Sequence, residues 1–177
     1  MASLEDVYPS FSMPDAGGDK GTLHSYIPVY SEYVTADTRS LLEVGVWEGH
    51  SLAMWEKYLP GARVEGIDVN LRRVKYPVTV RQGNATVRAD VDRLIGDTVW
   101  DVIIDDGSHK VRDQVATFDL LWSKVSDGGK YFVEDVAGDA ELHALTKHLE
   151  SVGVSFVVWD LRSMKGRFDD ILVMVEK

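Results

Sequence analysis

Asp106, His109, Glu134 and Asp135 have the types and spacing to hold a cation and move a proton. Asp105-Asp106-Gly107-Ser108-His109 ends one short apolar run, Trp100 to Ile104, and Glu134-Asp135 ends the next, Lys130 to Val133. Both runs are β-rich and bounded by turn residues, so they read as neighbouring buried strands of a parallel sheet. Adjacent strands lie about 4.8 Å apart, so carboxylates leaving two carboxyl ends converge on one hard cation. Asp106 and Glu134 are 28 residues apart, enough for a strand tip, a crossover helix and the next strand tip. Three oxygen donors, Asp106, Glu134 and Asp135, favour Mg²⁺ over Ca²⁺ or Mn²⁺ and speak against zinc. His109 shares a face with Asp106 if the chain turns helical after Gly107, and its ordinary pKa near ~6.5 suits it as a general base. Singly, each residue also has a bland role: Asp-Gly marks turns, and Ser108 or Asp105 can cap a helix. Four such groups at one sheet edge favour a functional centre.

A second constellation lies earlier. Glu43-Val44-Gly45-Val46-Trp47-Glu48-Gly49-His50-Ser51 follows a strand-like run and precedes an amphipathic stretch with Leu52, Trp55 and Leu59. In open α/β sheets such a turn passes beneath a ligand, and its glycines let the backbone approach closely. Trp47 stands where dinucleotide folds want glycine, which speaks against NAD and a pyrophosphate nest. Asp68 ends the next strand 23 residues after Gly45, where a carboxylate can accept from ribose hydroxyls. Asn84, after a third strand, can bond an adenine edge. A ribose and adenine reader without a phosphate clamp suggests S-adenosylmethionine. The candidate cofactor contacts are Glu43, Gly45, Gly49, Ser51, Asp68, Asn84 and Asp105, with His50 a weaker candidate.

These groups need a scaffold. Strand-like runs occur at Leu41 to Val46, Arg63 to Asp68, Val78 to Gln82, Trp100 to Asp105, Lys130 to Glu134, Ser155 to Leu161 and Asp170 to Val175. Helical faces lie between them: Val87, Val91, Leu94 and Ile95; Val111, Val115, Phe118 and Trp122; Leu142, Leu145, Leu149 and Val152. Strand-helix alternation predicts a doubly wound α/β sheet. Arg162 to Phe168 is too short for a crossover helix, so a hairpin joins the last two strands and the return strand runs antiparallel at one edge. The first twenty residues, with Pro9, Pro14, Gly17 and Gly18, have no sustained period and predict an irregular arm leading into a helix around Tyr26 to Val34. The division expected is an arm and helix over 1–38 and a ligand-binding domain over 39–177. His143 and His148 read as solvated, Trp100, Trp122 and Trp159 as core or edge filling, and Asp169-Asp170 as protection for an edge.

With 177 residues, 45% apolar and 27% charged, the chain suits one globular domain. A net charge of -10 speaks against a nucleic-acid partner and suits a small substrate or a cationic partner. Zero cysteines exclude a disulfide framework and a thiolate metal site. There is no apolar stretch of the ~20 residues a membrane span needs, and Glu5 and Asp6 replace a basic signal region. A soluble cytoplasmic protein is the expectation.

From Asp19 onward the chain resembles the magnesium-dependent sugar O-methyltransferases of macrolide biosynthesis, a branch of the class I S-adenosylmethionine-dependent methyltransferases. The resemblance rests on Asp19-Lys20-Gly21 with His24 and Tyr26, Leu42-Glu43-Val44-Gly45 with Gly49, Ser51 and Trp55, and Gly66-Ile67-Asp68. Its most specific part is Ile104-Asp105-Asp106-Gly107-Ser108-His109 with Val133-Glu134-Asp135. It implies a Rossmann-like three-layer fold with a seven-stranded mixed sheet of order 3-2-1-4-5-7-6, strand 7 antiparallel. It further implies Mg²⁺ on Asp106, Glu134 and Asp135, His109 as the base, and a sugar or glycan acceptor with vicinal hydroxyls. A catechol-like acceptor and a non-catalytic S-adenosylmethionine-binding module remain alternatives. Lys20, His24 and Tyr26 belong either near the cofactor or to the framework. No large N-terminal auxiliary domain is expected, a departure from that family, and the sequence leaves homo-oligomers open.

Overall fold

The runs that predict strands are apolar on both faces, which requires a sheet covered on both sides. The computed structural model describes residues 2–12 and 18–177. Pro14 and Gly17 of the expected arm lie outside them. Among the described residues, seven strands form one mixed sheet: β1 (Ser40–Val44), β2 (Arg63–Asp68), β3 (Val80–Gln82), β4 (Trp100–Asp105), β5 (Val125–Val133), β6 (Phe156–Asp160) and β7 (Ile171–Glu176). Their order is β3-β2-β1-β4-β5-β7-β6, as the resemblance implies. β3, β2, β1, β4 and β5 are parallel neighbours in turn, whereas β7 is antiparallel to both β5 and β6.

Side chains on a strand alternate between faces, and here the alternation separates two cores. Leu41, Val102, Ile104, Phe132, Leu172 and Met174 pack against α1 (Leu4–Val7), α2 (Ile27–Tyr33) and α3 (His50–Tyr58). Leu42, Ile103, Tyr131, Val133, Val173 and Val175 pack against α4 (Arg88–Leu94), α5 (Val111–Leu121) and α6 (Asp139–Val152). Helix, sheet and helix form three layers. The parallel registers align Val44 with Asp105, and Asp105 with Val133, so β1, β4 and β5 end side by side.

Four details depart from the sequence expectations. The first residues are not wholly irregular: Ser3 and Asp6 form a reciprocal capping box that starts α1, and Leu4 and Val7 are buried in the core. The return strand β7 is not at the edge but between β5 and β6. Its residues from Ile171 to Val175 are all buried, while β6 is partly exposed along its length and forms the edge. The hairpin between them contains a single helical turn, α7 (Arg162–Lys165), closed by Gly166 in the left-handed conformation. Asp169-Asp170 does not guard an edge, because both residues are buried.

Asp170 instead anchors the arm. It is fully buried and accepts hydrogen bonds from Ser25 N at 2.9 Å and Ser25 Oγ at 2.8 Å. Lys165 Nζ donates to the carbonyls of Gly21, at 2.6 Å, and His24, which holds the same segment from the hairpin side. Asp170→Ala strands a buried N–H and hydroxyl, a loss of about 1–3 kcal/mol per unsatisfied group. The expected result is a lower urea midpoint with an unchanged m-value and faster proteolysis around residues 18–25. Wild-type stability would refute the anchoring role.

Candidate active site

The centre forms where β1, β4 and β5 end. Asp106 N donates to Val44 O at 2.8 Å and Glu134 N to Asp105 O at 3.0 Å, so the ladder continues one residue past the strands and carries both carboxylates. Gly45 makes this closeness feasible: at φ 85° it lies so near Asp106 that a Cβ would come 1.9 Å from its carbonyl oxygen. Trp47, His109 and Asp135 are the non-glycine residues with positive φ among those described, at 51°, 56° and 53°, and all three line one cavity. Such conformations cost of order 1–3 kcal/mol each and persist where the surroundings enforce them.

The carboxylates divide between two cations of the protein itself. Lys20 Nζ lies 2.7 Å from Asp106 Oδ2, 2.7 and 2.8 Å from the two Glu134 oxygens and 3.2 Å from Glu43 Oε1. On the other side His109 Nε2 is 3.2 Å from Asp106 Oδ1, and His109 Nδ1 is 3.5 Å from Asp135 Oδ2. Asp106 bridges the two. Oxygens of Glu43, Asp106 and Glu134 all lie within 4.8 Å of one another, and so do ligand atoms of Asp106, His109 and Asp135. The donors are carboxylate oxygens with one imidazole, the chemistry that suits a hard divalent cation. Of the expected ligands, Asp106 and Asp135 thus share one set, whereas Glu134 stands in the adjoining set with Lys20.

These charges set one another's protonation. Burial works against the charged form of Asp106, but the Lys20 ammonium and the His109 ring outweigh it and hold the carboxyl down at about 2. Burial, then repulsion from Asp106, pushes Asp135 up to about 7. His109 is disfavoured as a cation by burial, yet its hydrogen bond to Asp106 and the attraction of Asp106, Asp135 and Glu134 raise it to about 9. Burial also drives Glu134 upward. Against that burial, the Lys20 ammonium and the Tyr30 hydroxyl, at 2.5 Å, both donate to Glu134 and favour its carboxylate form.

A nucleoside-sized cavity of about 480 Å³ opens beside this centre, over Gly45, Asp68, Asn84, Asp105 and Gln114. A second, of about 370 Å³, is lined by Asp19, Trp47, Ser51, Asp106, His109 and Asp135, and the two share Gly45, Asp68 and Gly107. Asp68 braces the glycine loop: Oδ2 accepts from Val46 N at 2.8 Å and Trp47 N at 3.1 Å, and Oδ1 from Asn70 N at 2.7 Å. A carboxylate has about four lone-pair sites, so Oδ1 keeps one for a ligand hydroxyl. Asn84 Oδ1 accepts from Thr86, which leaves its amide nitrogen as the remaining polar end. Burial raises Asp105 to about 7. Gly49 and Glu43 lie outside both cavities: Gly49, at φ 90°, caps α3, and the buried Glu43 accepts from Ser51 Oγ at 2.7 Å. His50, which also lines neither, pairs with Glu48 at 3.4 Å.

Sequence reasoning singled out His24 and Tyr26 without fixing their role and missed Tyr30 and Gln114 in the support behind the carboxylates. Tyr26 and Tyr30 donate hydroxyls to Asp135, at 2.8 Å, and Glu134, and His24 Nδ1 lies 3.1 Å from Asp135 Oδ1. Two tyrosines four apart at the start of a helix share a face, which was the available signal. Gln114 Nε2 donates to the Glu134 carbonyl at 3.0 Å.

Sheet order and the antiparallel β7 define the class I methyltransferase fold. The chain overlays on 99% of its length, at 23% identity and TM-score 0.76, with 55% of the MycE methyltransferase of the mycinamycin biosynthetic pathway, solved with Mg and SAH. It also overlays, at 16% identity and TM-score 0.61, with 90% of an O-methyltransferase from Bacillus cereus in complex with SAH. Its homologues in sequence are sugar O-methyltransferases. It is 30% identical over 135 residues, 68% of this chain, to 8-demethyl-8-alpha-L-rhamnosyl tetracenomycin-C 2'-O-methyltransferase of Streptomyces olivaceus. It is 31% identical over 130 residues, 66% of this chain, to mycinamicin VI 2''-O-methyltransferase of Micromonospora griseorubida. The matched region spans about a third of those relatives, 35% and 32% of their lengths. No protein-family model matches the chain.

The His109 environment makes a signed prediction for the metal-free protein. A folded pKa of about 9 lies above the ordinary 6.5, so the imidazolium's stabilising contribution is complete below pH ~6.5 and is lost as pH rises through about 9. Histidine NMR titration should find one ring titrating near 9, and the urea midpoint should fall more steeply from pH 7 to 10 in wild type than in His109→Gln. A ring titrating near 6.5 would refute the assignment.

Proposed function

We propose that the chain is an S-adenosylmethionine- and Mg²⁺-dependent O-methyltransferase acting on a hydroxyl of a sugar or glycoside that carries a vicinal hydroxyl. The observation that carries this is the junction of the two cavities: a nucleoside-sized cleft with Asp68, Asn84 and Asp105 opens, at Gly45 and Gly107, onto the centre holding Asp106, His109 and Asp135. Homology to enzymes that methylate sugar hydroxyls supports the acceptor class. The cysteine-free sequence suits a reducing, cytoplasmic setting.

When bound, S-adenosylmethionine supplies an electrophilic sulfonium methyl, and Mg²⁺ supplies Lewis-acid polarisation of an acceptor oxygen. Asp68 would take a ribose hydroxyl on its remaining Oδ1 site, with the Asn84 amide and the Asp105 carboxyl toward the base. Gly45 lets the loop backbone approach. Asp106 and Asp135, with Glu134 beside them, would hold the cation. His109 is a cation itself while Asp106 and Asp135 are unneutralised. Once they are neutralised, it loses the attraction that holds its proton and can accept one from the acceptor hydroxyl. Holding the two reactants within ~3–3.5 Å would supply much of the remaining rate gain.

His109→Ala should bind S-adenosylmethionine as wild type does in calorimetry and lose about 10²–10⁴-fold in turnover. EDTA should abolish methyl transfer to a panel of glycosides, and added Mg²⁺ should restore it. Full turnover in His109→Ala removes the base from the scheme, and activity insensitive to EDTA removes the metal. Methylation of catechols but of no glycoside replaces the acceptor class, and S-adenosylmethionine binding without any transfer reduces the chain to a binding module.

A further inference from the structure

We propose that the Lys20 ammonium is a tethered cation filling one of two adjoining cation positions bridged by Asp106, so that the carboxylates accept one divalent ion fewer than they would alone. An ammonium has three N–H donors; Lys20 donates to Asp106 Oδ2 and to both oxygens of Glu134 and lies 3.2 Å from Glu43 Oε1, from a side chain only 2% exposed. Their oxygens all lie within 4.8 Å of one another, as do the ligand atoms of the neighbouring Asp106, His109 and Asp135 set. In two-metal centres the ions sit about 3.5–4 Å apart and are clamped together. Here Asp106 plays the bridging part, with Oδ2 on Lys20 and Oδ1 on the His109 side.

The pocket around Lys20 is built to order its ligands. Ser51 Oγ donates to Glu43 Oε1, Tyr30 to Glu134 Oε1, and Gln114 to the Glu134 carbonyl. Glu43 Oε2 is buried without a hydrogen-bond partner among the described residues, so the set has acceptor capacity beyond what Lys20 uses. The backbone that delivers Lys20 is clamped on both sides: Tyr8 Oη donates to Gly18 O at 2.9 Å, Lys165 holds the Gly21 and His24 carbonyls, and Asp170 holds Ser25. Withdrawing the ammonium means breaking those bonds or leaving three carboxylates uncompensated. Lys20 is therefore a resident of the centre, and a divalent ion is confined to the His109 side.

This inference deepens the metal part of the proposed function, and it is tested as a difference in ion count so that the two can fail separately. Mn²⁺ titration followed by calorimetry and electron paramagnetic resonance compares wild type with Lys20→Met, which keeps the length of the side chain and removes its charge. Lys20→Met should bind one Mn²⁺ more per chain than wild type, with the spectrum of a spin-coupled pair, and Lys20→Met/Glu43→Gln should lose the extra ion. Equal counts in wild type and Lys20→Met overturn the proposal. A wild type that binds no Mn²⁺ sinks the metal part of the proposed function while the difference of one still decides here. Should Lys20→Met fail to fold without metal, nitrogen-15 NMR of the lysine ammonium groups in wild type decides. One exchange-protected ammonium retained at saturating Mg²⁺ supports residence, and its loss on adding Mg²⁺ overturns it.

Discussion

Glu43, Asp106, Glu134 and Asp135 lie on or just past three adjacent strands, with negative charge concentrated where water is largely excluded. Bringing carboxylates this close in a low-dielectric setting costs several kcal/mol per ion unless cations and hydrogen-bond donors surround them. The chain meets that cost with Lys20 on one side, His109 on the other, and Tyr26, Tyr30 and Ser51 behind. Much of the remaining architecture follows from this requirement. The arm must reach the sheet's carboxyl edge to deliver Lys20, and Asp170 and Lys165 hold it there. Gly45 must lack a side chain so that β1 can end against Asp106.

The same crowding sets the protonation of the centre. Asp106 is held as a carboxylate by two cations, Asp135 is poised near neutrality, and His109 is held as an imidazolium by the two acids it faces. A group whose proton is retained only by neighbouring carboxylates becomes a base when those carboxylates are neutralised. On the proposed function, protonation at this site would be coupled to cation occupancy through two residues, Asp106 and Asp135. The adjoining cleft, which shares Gly45 and Gly107 with the centre, is lined mainly by neutral and acidic groups, with Arg112 as the basic residue on its wall.

Much of this was legible in the residues. The seven strand runs, the doubly wound sheet and the convergence of Asp106 with Glu134 followed from apolar periodicity and turn chemistry, because buried parallel strands carry a strong local signal. The Ser3–Asp6 capping box was readable too, since its two partners are three residues apart. The place of β7 was less so: a hairpin fixes which strand follows which, not which of the two lies outermost. Its unbroken run of buried residues, against the partly exposed β6, is the feature that marks an interior strand.

By itself the sequence determined the α/β alternation, the acidic tips of two neighbouring strands and the histidine beside them, all of which depend on contacts within a few residues or on the spacing of successive elements. Only the tertiary structure decided that Lys20, 86 residues from Asp106 and 114 from Glu134, lies among those carboxylates, and that Tyr26 and Tyr30 face Asp135 and Glu134. Periodicity cannot report such partners, because a charge separated by a hundred residues leaves no local pattern. It is the cost of burying the carboxylates unpaired that selects it. Asp106, Glu134 and Asp135 looked like the ligands of one cation when read from the chain. In three dimensions the Lys20 ammonium pairs with Asp106 and Glu134, while His109 lies against Asp106 and Asp135.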